Sequence, residues 1–372
     1  MATPRLSVVL PNYNHAKFVG RALAALLAQE RAPDEIVVVD DGSTDDSVAV
    51  VERIAATAPS IRLFRNDANI GVIATLQRGL REARGTHVYF AASDDWVFPG
   101  FFDLALRRLN ANPGLGLFCG EAMLIDGRNN RPFAVRPAVR PRMTGGPLDA
   151  ASVARRLRTA DNWILTGSTL LRREAVEWAG GFDARLTSSA DGLMARKIAL
   201  RYGVYFEPEI VAVWVVFPDS VSGQTARDLE RSRYTLEEVP RLIAADPAFP
   251  PWYAAAFRDR WRFATCRLAL QADPIDRATV LQMGARSAAE GQIGVDVGPA
   301  AAEGRAIGDP GLAVVPAAAD SADGVVADYA GDARPAARFW LSIWANTRYD
   351  GAHRQPRRTL TRVKLQGLRA TC

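Results

Sequence analysis

The sequence predicts an α/β fold in which helices cover both faces of a mostly parallel β-sheet. Between residues 6 and 111, short runs of β-branched and other apolar residues alternate with segments of helical periodicity. These runs are apolar throughout rather than at every second position, which is typical of parallel strands buried on both faces. We expect this α/β domain to occupy residues 1–225 and a mainly helical region to occupy residues 226–372.

The predicted elements follow in regular order from the N-terminus. Strands are predicted at residues 6–10, 35–39, 61–64 and 88–92, and helices at 16–29, from the mid-40s to 57, and at 72–84. Asn14 is placed to cap the first helix, and Ser43 with Asp46 resembles a capping box for the second.

The pattern continues with a helix at 100–111, a strand at 116–125, a helix ending at Tyr202 and a strand at 209–213. Residues 131–142 are rich in proline and arginine, so we predict a loop there. Helices are expected at 229–245 and 252–271, and loops at 298–336, where Ala, Gly and Asp predominate.

The composition excludes several classes of protein. With 372 residues, 48% of them apolar, the chain can bury a large core. Cys119, Cys266 and Cys372 are too widely spaced for a disulfide framework or a zinc site. A formal charge of +5 does not indicate a nucleic-acid partner. Since no signal-peptide core or apolar run of roughly 18 residues is present, we expect a cytoplasmic protein, either soluble or attached to a membrane surface.

Polar clusters follow three of the predicted strands: Asn12-Tyr13-Asn14, Asp40-Asp41 and Asp94-Asp95. The carboxyl ends of parallel strands meet at one sheet edge, where ligands of open α/β sheets bind. Adjacent carboxylates beside a buried strand are costly without a compensating cation or hydrogen bonds. The clusters therefore predict a site for a metal-bound diphosphate, although Asp94-Asp95 alone would equally fit a solvated turn that caps the helix at 100–111.

The segments P-N-Y-N, V-D-D-G-S-T-D, N-I-G and A-S-D-D, in this order and spacing, resemble the inverting glycosyltransferases of family 2. The resemblance covers residues 5–220 and implies the GT-A nucleotide-diphospho-sugar transferase fold. It also implies a nucleoside-diphosphate sugar as the donor and a saccharide or lipid-linked hydroxyl as the acceptor, in bacterial cell-surface polysaccharide or glycolipid synthesis.

The resemblance also implies roles for individual residues. Pro11 and Tyr13 would lie against the donor base, with the Tyr13 ring stacked on it. Asp41 would accept a hydrogen bond from the base, and Asp94 would hold the ribose. Asp95 would ligate a divalent cation, Mg²⁺ or Mn²⁺, that bridges the phosphates.

A second block that is similar to the family contains the turn Gly180-Gly181-Phe182-Asp183 and, after it, Asp191. Many relatives carry an acidic pair at the second position, whose second member is the proposed general base. The pair here reads Ala190-Asp191, so the resemblance makes Asp191 the base. Capping of the helix at 192–202 is the alternative role for Asp191, and Asp183 is the competing base.

The chain departs from the family at positions that contact phosphate in many relatives. Leu76 and Gln77 replace an Arg-Asn pair, which leaves Arg65, Arg78 and Arg81 as candidate substitutes.

A second departure lies near residue 217. Val215 and Phe217 stand where relatives often have Arg and His. The three histidines, His15, His87 and His353, are far apart in sequence, and we interpret each as a surface or packing residue.

The C-terminal tail combines aromatic and basic residues, which favours attachment to an anionic membrane. The aromatic residues lie at 339–344, and seven basic residues follow between 348 and 369. A solvated terminus would have the same composition. The basic loop at 131–142 could contact an anionic acceptor, or it could simply connect two elements.

Three other functions compete with a glycosyltransferase. A sugar nucleotidyltransferase would carry a Gly-rich basic loop after its first strand, where this chain has Pro11-Asn12-Tyr13-Asn14. A phospho-receiver domain would leave residues 180–191 without a role. A catalytically inactive nucleotide-sugar-binding protein of the same fold would fit the missing basic residues, whereas the retained Asp41, Asp95 and Asp191 favour an enzyme.

Overall fold

The computed structural model describes residues 5–217 and 228–271. Among them, ten strands form one mixed sheet with the order β3-β2-β1-β4-β9-β6-β10-β5, while β7 pairs with β6 and β8 with β10. The strands are β1 (Leu6–Asn12), β2 (Glu35–Asp40), β3 (Ile61–Arg65), β4 (His87–Phe90), β5 (Trp96–Val97), β6 (Leu117–Asp126), β7 (Pro132–Arg136), β8 (Gly146–Leu148), β9 (Thr169–Arg172) and β10 (Val204–Val216).

Helices cover both faces of the sheet, as predicted. They are α1 (Ala16–Leu27), α2 (Ser47–Ala55), α3 (Val72–Glu82), α4 (Phe101–Ala111), α5 (Ala150–Thr159), α6 (Arg173–Ala179), α7 (Ala190–Tyr202), α8 (Leu229–Ala245) and α9 (Tyr253–Gln271). Short 3₁₀ turns lie at Thr166–Ser168 and Ala184–Ser189. No helix of the described ranges is long and apolar enough to cross a membrane.

The parallel half of the sheet, β3-β2-β1-β4, confirms the prediction from the apolar runs. Along β1, Val8 and Leu10 pack in one core cluster while Val9 packs in the other, on the opposite face. All three are fully buried, because successive strand residues point to opposite faces and both faces are covered. This arrangement fixes the register that pairs Asn12 with Asp40 at the strand ends.

The predicted loop at 131–142 is wrong in part, because Pro132–Arg136 form β7, antiparallel to β6. Proline cannot donate to a ladder but is tolerated as the first residue of a strand, which is where Pro132 lies. The remainder of the segment is irregular.

Both predicted helix caps are also wrong. The Asn14 side chain accepts a hydrogen bond from Thr44 N at 2.9 Å, and α1 begins without a side-chain cap. The Ser43 hydroxyl donates to Asp40 Oδ2 at 2.6 Å, and α2 begins at Ser47 after Asp46. The side chains of Asn14 and Ser43 therefore bond to groups near the strand ends, although local spacing would assign them to the helix N-termini.

The described part of the predicted C-terminal region packs on the sheet domain. Val239 and Ile243 of α8 and Tyr253 and Phe257 of α9 join the core cluster that contains α7. These two helices therefore share a core with the element that carries Asp191. The boundary at residue 225 stays a prediction, and the loops at 298–336 and the basic tail lie outside the described residues.

Candidate active site

The ends of β1, β2 and β4 meet at one edge of the sheet, which we call the donor edge. At its centre, Asn12 Nδ2 donates to Asp40 Oδ2 at 2.9 Å, and Ser43 N donates to Asp40 Oδ1 at 2.9 Å. Asp40 is fully buried, and these hydrogen bonds satisfy its carboxylate. The structure thus brings together the polar clusters that the sequence places at successive strand ends.

Asp41 is buried and accepts three hydrogen bonds. Asn66 Nδ2 donates at 2.6 Å, Ile70 N at 2.9 Å and Gly71 N at 2.9 Å. Gly71 has φ +91°, which glycine adopts most readily, so the turn after β3 folds around this carboxylate. An ionised carboxylate has about four lone-pair sites, which leaves capacity for one further donor. Its hydrogen bond to a donor base stays a prediction.

Tyr13 is 42% exposed and follows β1, and Pro11 is half-buried within that strand. Ile70, in the turn held by Asp41, is 54% exposed. An accessible aromatic ring beside a buried hydrogen-bond acceptor is the combination that binds a planar heterocycle by stacking and an edge contact.

Asp94 and Asp95 follow β4, and their surroundings disfavour the charged forms of both carboxyls. Burial and the neighbouring charge of Asp94 raise the pKa of Asp95 well above its usual range. Burial also raises the pKa of Asp94. Asp95 Oδ1 accepts a hydrogen bond from Val215 N at 2.7 Å. This bond and the charge of Arg21 lower the pKa of Asp95, but they do not cancel the increase.

The Asp94-Asp95 pair does not act as a helix cap, but its chemistry is compatible with a bound cation. The N-cap of α4 is Gly100 without a side-chain hydrogen bond, so the Asp94-Asp95 pair does not cap that helix. Two adjacent, half-buried carboxyls with raised pKa values would be stabilised in their charged forms by a nearby cation. No cluster of three or more metal-binding side chains occurs among the described residues. Mg²⁺ usually takes only one or two carboxylates and completes its shell with water and phosphate oxygens, so a larger cluster is not required.

Asp191 lies in the first turn of α7, directly after the 3₁₀ turn Ala184–Ser189. Its side chain is half-buried, and Gly192 N donates to its Oδ1 at 2.7 Å. The N-cap of α7 is Ser189, so Asp191 supports the first turn from within rather than from the cap position.

Asp183, the competing base, has a structural role. Arg185 N donates to its Oδ1 at 3.0 Å, and Arg185 Nη2 lies 2.7 Å from its Oδ2. The Arg185 guanidinium holds the pKa of Asp183 below its usual range. A carboxylate with a lowered pKa is a weaker base, so Asp183 is poorly suited to accept a proton.

Residues 7–176 match the family described as Glycosyl transferase family 2. The chain belongs to this family. It is 32% identical over 260 residues to an uncharacterized protein of Mycobacterium tuberculosis, a match that covers 67% of this chain and 78% of that one. It is 29% identical to the succinoglycan biosynthesis protein ExoO of Rhizobium meliloti, with 68% and 69% covered. It is 28% identical to the uncharacterized glycosyltransferase YibD of Escherichia coli, but spans only 48% of that relative's length.

Two solved structures share the GT-A fold with this family 2 chain. A mannosyltransferase from Pyrobaculum calidifontis, in complex with GDP-Man and Mn²⁺, has a TM-score of 0.53 at 22% identity, covering 92% of this chain and 85% of that one. Residues 1–349 of TarS from S. aureus, in complex with UDP-GlcNAc, have a TM-score of 0.50 at 17% identity, with 77% and 92% covered. At these identities the likeness establishes the fold alone.

The departure from the family pattern at Leu76 and Gln77 has a structural explanation. Leu76 is buried in the core, and Gln77 Oε1 accepts a hydrogen bond from Phe182 N at 2.9 Å. Gln77 therefore joins α3 to the Gly180–Asp183 turn. Arg78 donates to Arg65 O at 2.7 Å and to the Asn66 side chain, which in turn donates to Asp41.

The sequence interpretation missed two side chains beside Asp94. Nδ1 of His15 lies 2.6 Å from Ser93 Oγ, so His15 packs against the residue that precedes Asp94. Arg21 Nη2 donates to Asp94 O at 2.7 Å, and its guanidinium lies 4.0 Å from the centre of the Trp96 ring. His15 directly precedes α1 and Arg21 lies in the second turn of that helix, and the position of α1 just after β1 was the available signal. His87 is a buried packing residue on β4, as predicted.

Proposed function

We propose that this protein is an inverting, metal-dependent glycosyltransferase that moves a hexosyl group from a nucleoside-diphosphate sugar to a hydroxyl acceptor. The acceptor is a saccharide or a lipid-linked saccharide in bacterial cell-surface polysaccharide or glycolipid synthesis. The observation that carries the proposal is the half-buried Asp94-Asp95 pair with raised pKa values at the same sheet edge as the buried Asp41 and the exposed Tyr13 ring.

Donor binding is assigned to the donor edge. Tyr13 stacks on the base, Pro11 lies beside it, Asp41 accepts its N–H, and Asp94 binds the ribose hydroxyls. Asp95 would hold a divalent cation, Mg²⁺ or Mn²⁺, which would stabilise negative charge on the leaving diphosphate.

Asp191 supplies the proton acceptor. The acceptor hydroxyl is a poor nucleophile until its proton is removed, and a carboxylate within hydrogen-bond reach can accept that proton as the new bond forms. The acceptor oxygen then forms a bond to the anomeric carbon while the bond from that carbon to the phosphate oxygen breaks. The nucleoside diphosphate leaves with the electron pair, and a single displacement inverts the anomeric configuration.

A panel of nucleotide sugars, incubated with Mg²⁺ or Mn²⁺, tests the proposal through release of the nucleoside diphosphate. We expect turnover with one donor class and loss of turnover with EDTA. Asp191→Asn should lower kcat by a factor on the order of 10² to 10⁴, because the proton acceptor is lost.

Asp183→Asn is the matched control and should change kcat only slightly. Binding of UDP or GDP with no turnover of any sugar in the panel would instead favour a catalytically inactive nucleotide-sugar-binding protein. Full activity of Asp191→Asn would exclude the assigned base.

Attachment to an anionic membrane stays a proposal based on the sequence of residues 337–372. Deletion of this tail should reduce co-sedimentation with vesicles that contain phosphatidylserine, more strongly at low salt. If the full-length protein does not sediment with such vesicles at low salt, the attachment is wrong.

A further inference from the structure

A half-buried polar cluster joins α7 to the C-terminal helix α9. Arg196 of α7 is 15% exposed at its side chain, and its Nε donates to Asp161 O at 2.8 Å. The Asp161 carboxylate lies 2.9 Å from Arg260 Nη1 and accepts a 3.5 Å hydrogen bond from the Tyr253 hydroxyl. Tyr253 and Arg260 belong to α9. That helix is therefore linked through Asp161 to Arg196, which lies five residues after Asp191.

The guanidinium of Arg196 also lies against Gly192, the residue after Asp191. Side chains on a helix point toward its N-terminus, so Arg196 lies over the residue four positions earlier, Gly192. A Cβ atom at Gly192 would lie only 2.5 Å from Arg196 Nη1, which places the guanidinium against the backbone next to Asp191.

The electrostatics of the cluster agree with this geometry. Burial opposes the charge of Arg196, but the surrounding Tyr253, Asp161 and Asp191 raise its pKa above the ordinary value. Arg196 is therefore a permanent cation, held near two carboxylates of which one is the assigned base.

Two further polar contacts connect the C-terminal helices to the segment that carries the base. Lys197 Nζ lies 2.7 Å from Asp246 Oδ2, just after α8. The Tyr234 hydroxyl of α8 donates to Arg185 O at 3.1 Å, in the 3₁₀ turn before α7. The helices thus contact this segment on both sides of Asp191.

We propose that Arg196 is a positioning residue for Asp191 and that the C-terminal helices hold it in place through Asp161. This inference rests on the proposed role of Asp191 as the general base. A displacement of about 1 Å at a reacting group can lower a rate by roughly 10²-fold. An arginine that a second helix holds in place beside the residue after Asp191 therefore affects turnover.

A double-mutant cycle with Asp191→Asn, Arg196→Gln and the combined variant tests the proposal. We expect Arg196→Gln to lower kcat by about 10- to 100-fold, since Asp191 loses its positioning partner. Its affinity for UDP or GDP in the presence of Mn²⁺ should not change, because the donor edge is untouched. In the Asp191→Asn background the same change should lower kcat by less than about two-fold, because residues that act as one unit are not additive.

Arg201→Gln is the matched control, since it removes an exposed arginine from the same helix, and it should retain the wild-type rate. If Arg196→Gln does not fold, Gly192→Ala and Tyr253→Phe replace it in the cycle. The first displaces the Arg196 Nη1 atom, and the second removes only the hydroxyl that contacts Asp161.

The outcomes separate the two proposals. An equal loss from Arg196→Gln in both backgrounds would overturn the positioning role while leaving Asp191 as the base. Wild-type turnover of Asp191→Asn alone would overturn the assigned base, and the positioning role with it.

Discussion

The donor edge and the segment around Asp191 are built in different ways. At the donor edge, Asp40 and Asp41 are fixed by strand ends and by hydrogen bonds from nearby turns. Asp191 lies at the start of a helix whose position depends on contacts with Asp161 and with α8 and α9. Changes in the C-terminal helices should therefore lower turnover without weakening donor binding.

The two regions also differ in electrostatic cost. Burial raises the pKa of both Asp94 and Asp95, and the charge of Asp94 raises the pKa of Asp95 further. The acids near α7 have basic partners, since Asp161 lies beside Arg260 and Asp183 beside Arg185. The charged forms of these two carboxyls at the donor edge are thus disfavoured, whereas Asp161 and Asp183 already have basic partners.

The largest effect is expected at the donor edge. Asp95→Ala should lower turnover by a factor on the order of 10³ or more, because the charge on the leaving diphosphate is no longer stabilised. Calorimetric titration with UDP or GDP should show no dependence on Mn²⁺ in this variant. Asp103→Ala, an exposed acid on α4, is the control and should keep that dependence. Unchanged Mn²⁺-dependent affinity in Asp95→Ala would remove Asp95 from the metal site.

The next effect concerns the turn around Asp41. Asp41→Ala leaves the donors of Asn66, Ile70 and Gly71 without their acceptor, so the free energy of unfolding should fall by about 3 kcal/mol. Urea denaturation measures this loss. Asp46→Ala removes an exposed acid that makes no side-chain capping bond and should change stability by less than about 0.5 kcal/mol. Equal stabilities of the two variants would show that Asp41 does not hold the turn.

A smaller, pH-dependent effect tests the raised pKa of Asp95 at the donor edge. Because the pKa of Asp95 is raised on folding, the folded protein binds more protons than the unfolded chain above the ordinary Asp pKa. Its contribution is favourable at acidic pH and is lost as the pH rises through the raised pKa. Without metal, Asp95→Asn should therefore be more stable than the wild type at pH 8, and the difference should shrink toward pH 4. Thermal unfolding in EDTA that shows the opposite trend would contradict the raised pKa.

The smallest effect lies at the hydrogen bond between the two regions. Gln77→Leu leaves Phe182 N without an acceptor and should lower kcat a few-fold, at a cost to stability of about 1 kcal/mol. Gln77→Glu keeps the acceptor oxygen and should retain most of the rate. A loss of UDP or GDP affinity in Gln77→Leu would mean that Gln77 contacts the donor directly.

The same contrast explains what could be predicted from the sequence. The strand ends, the two-sided core and the meeting of Asn12 with Asp40 follow from local composition and the rules of parallel sheets. The roles of Asn14, Gln77 and Arg196 do not, because each is decided by a partner at least 30 residues away in sequence. The strand Pro132–Arg136 was missed for a related reason, since pairing with β6 outweighs the low strand propensity of a segment rich in proline.

The measurement that tests the central claim most directly is the anomeric configuration of the transferred sugar, followed by NMR during the wild-type reaction with the donor that the panel identifies. Asp191 as a base in a single displacement requires the configuration opposite to that of the donor in the first product formed. A product with the donor's configuration would contradict the account, because retention requires a second displacement or a different mechanism in which Asp191 is not the base.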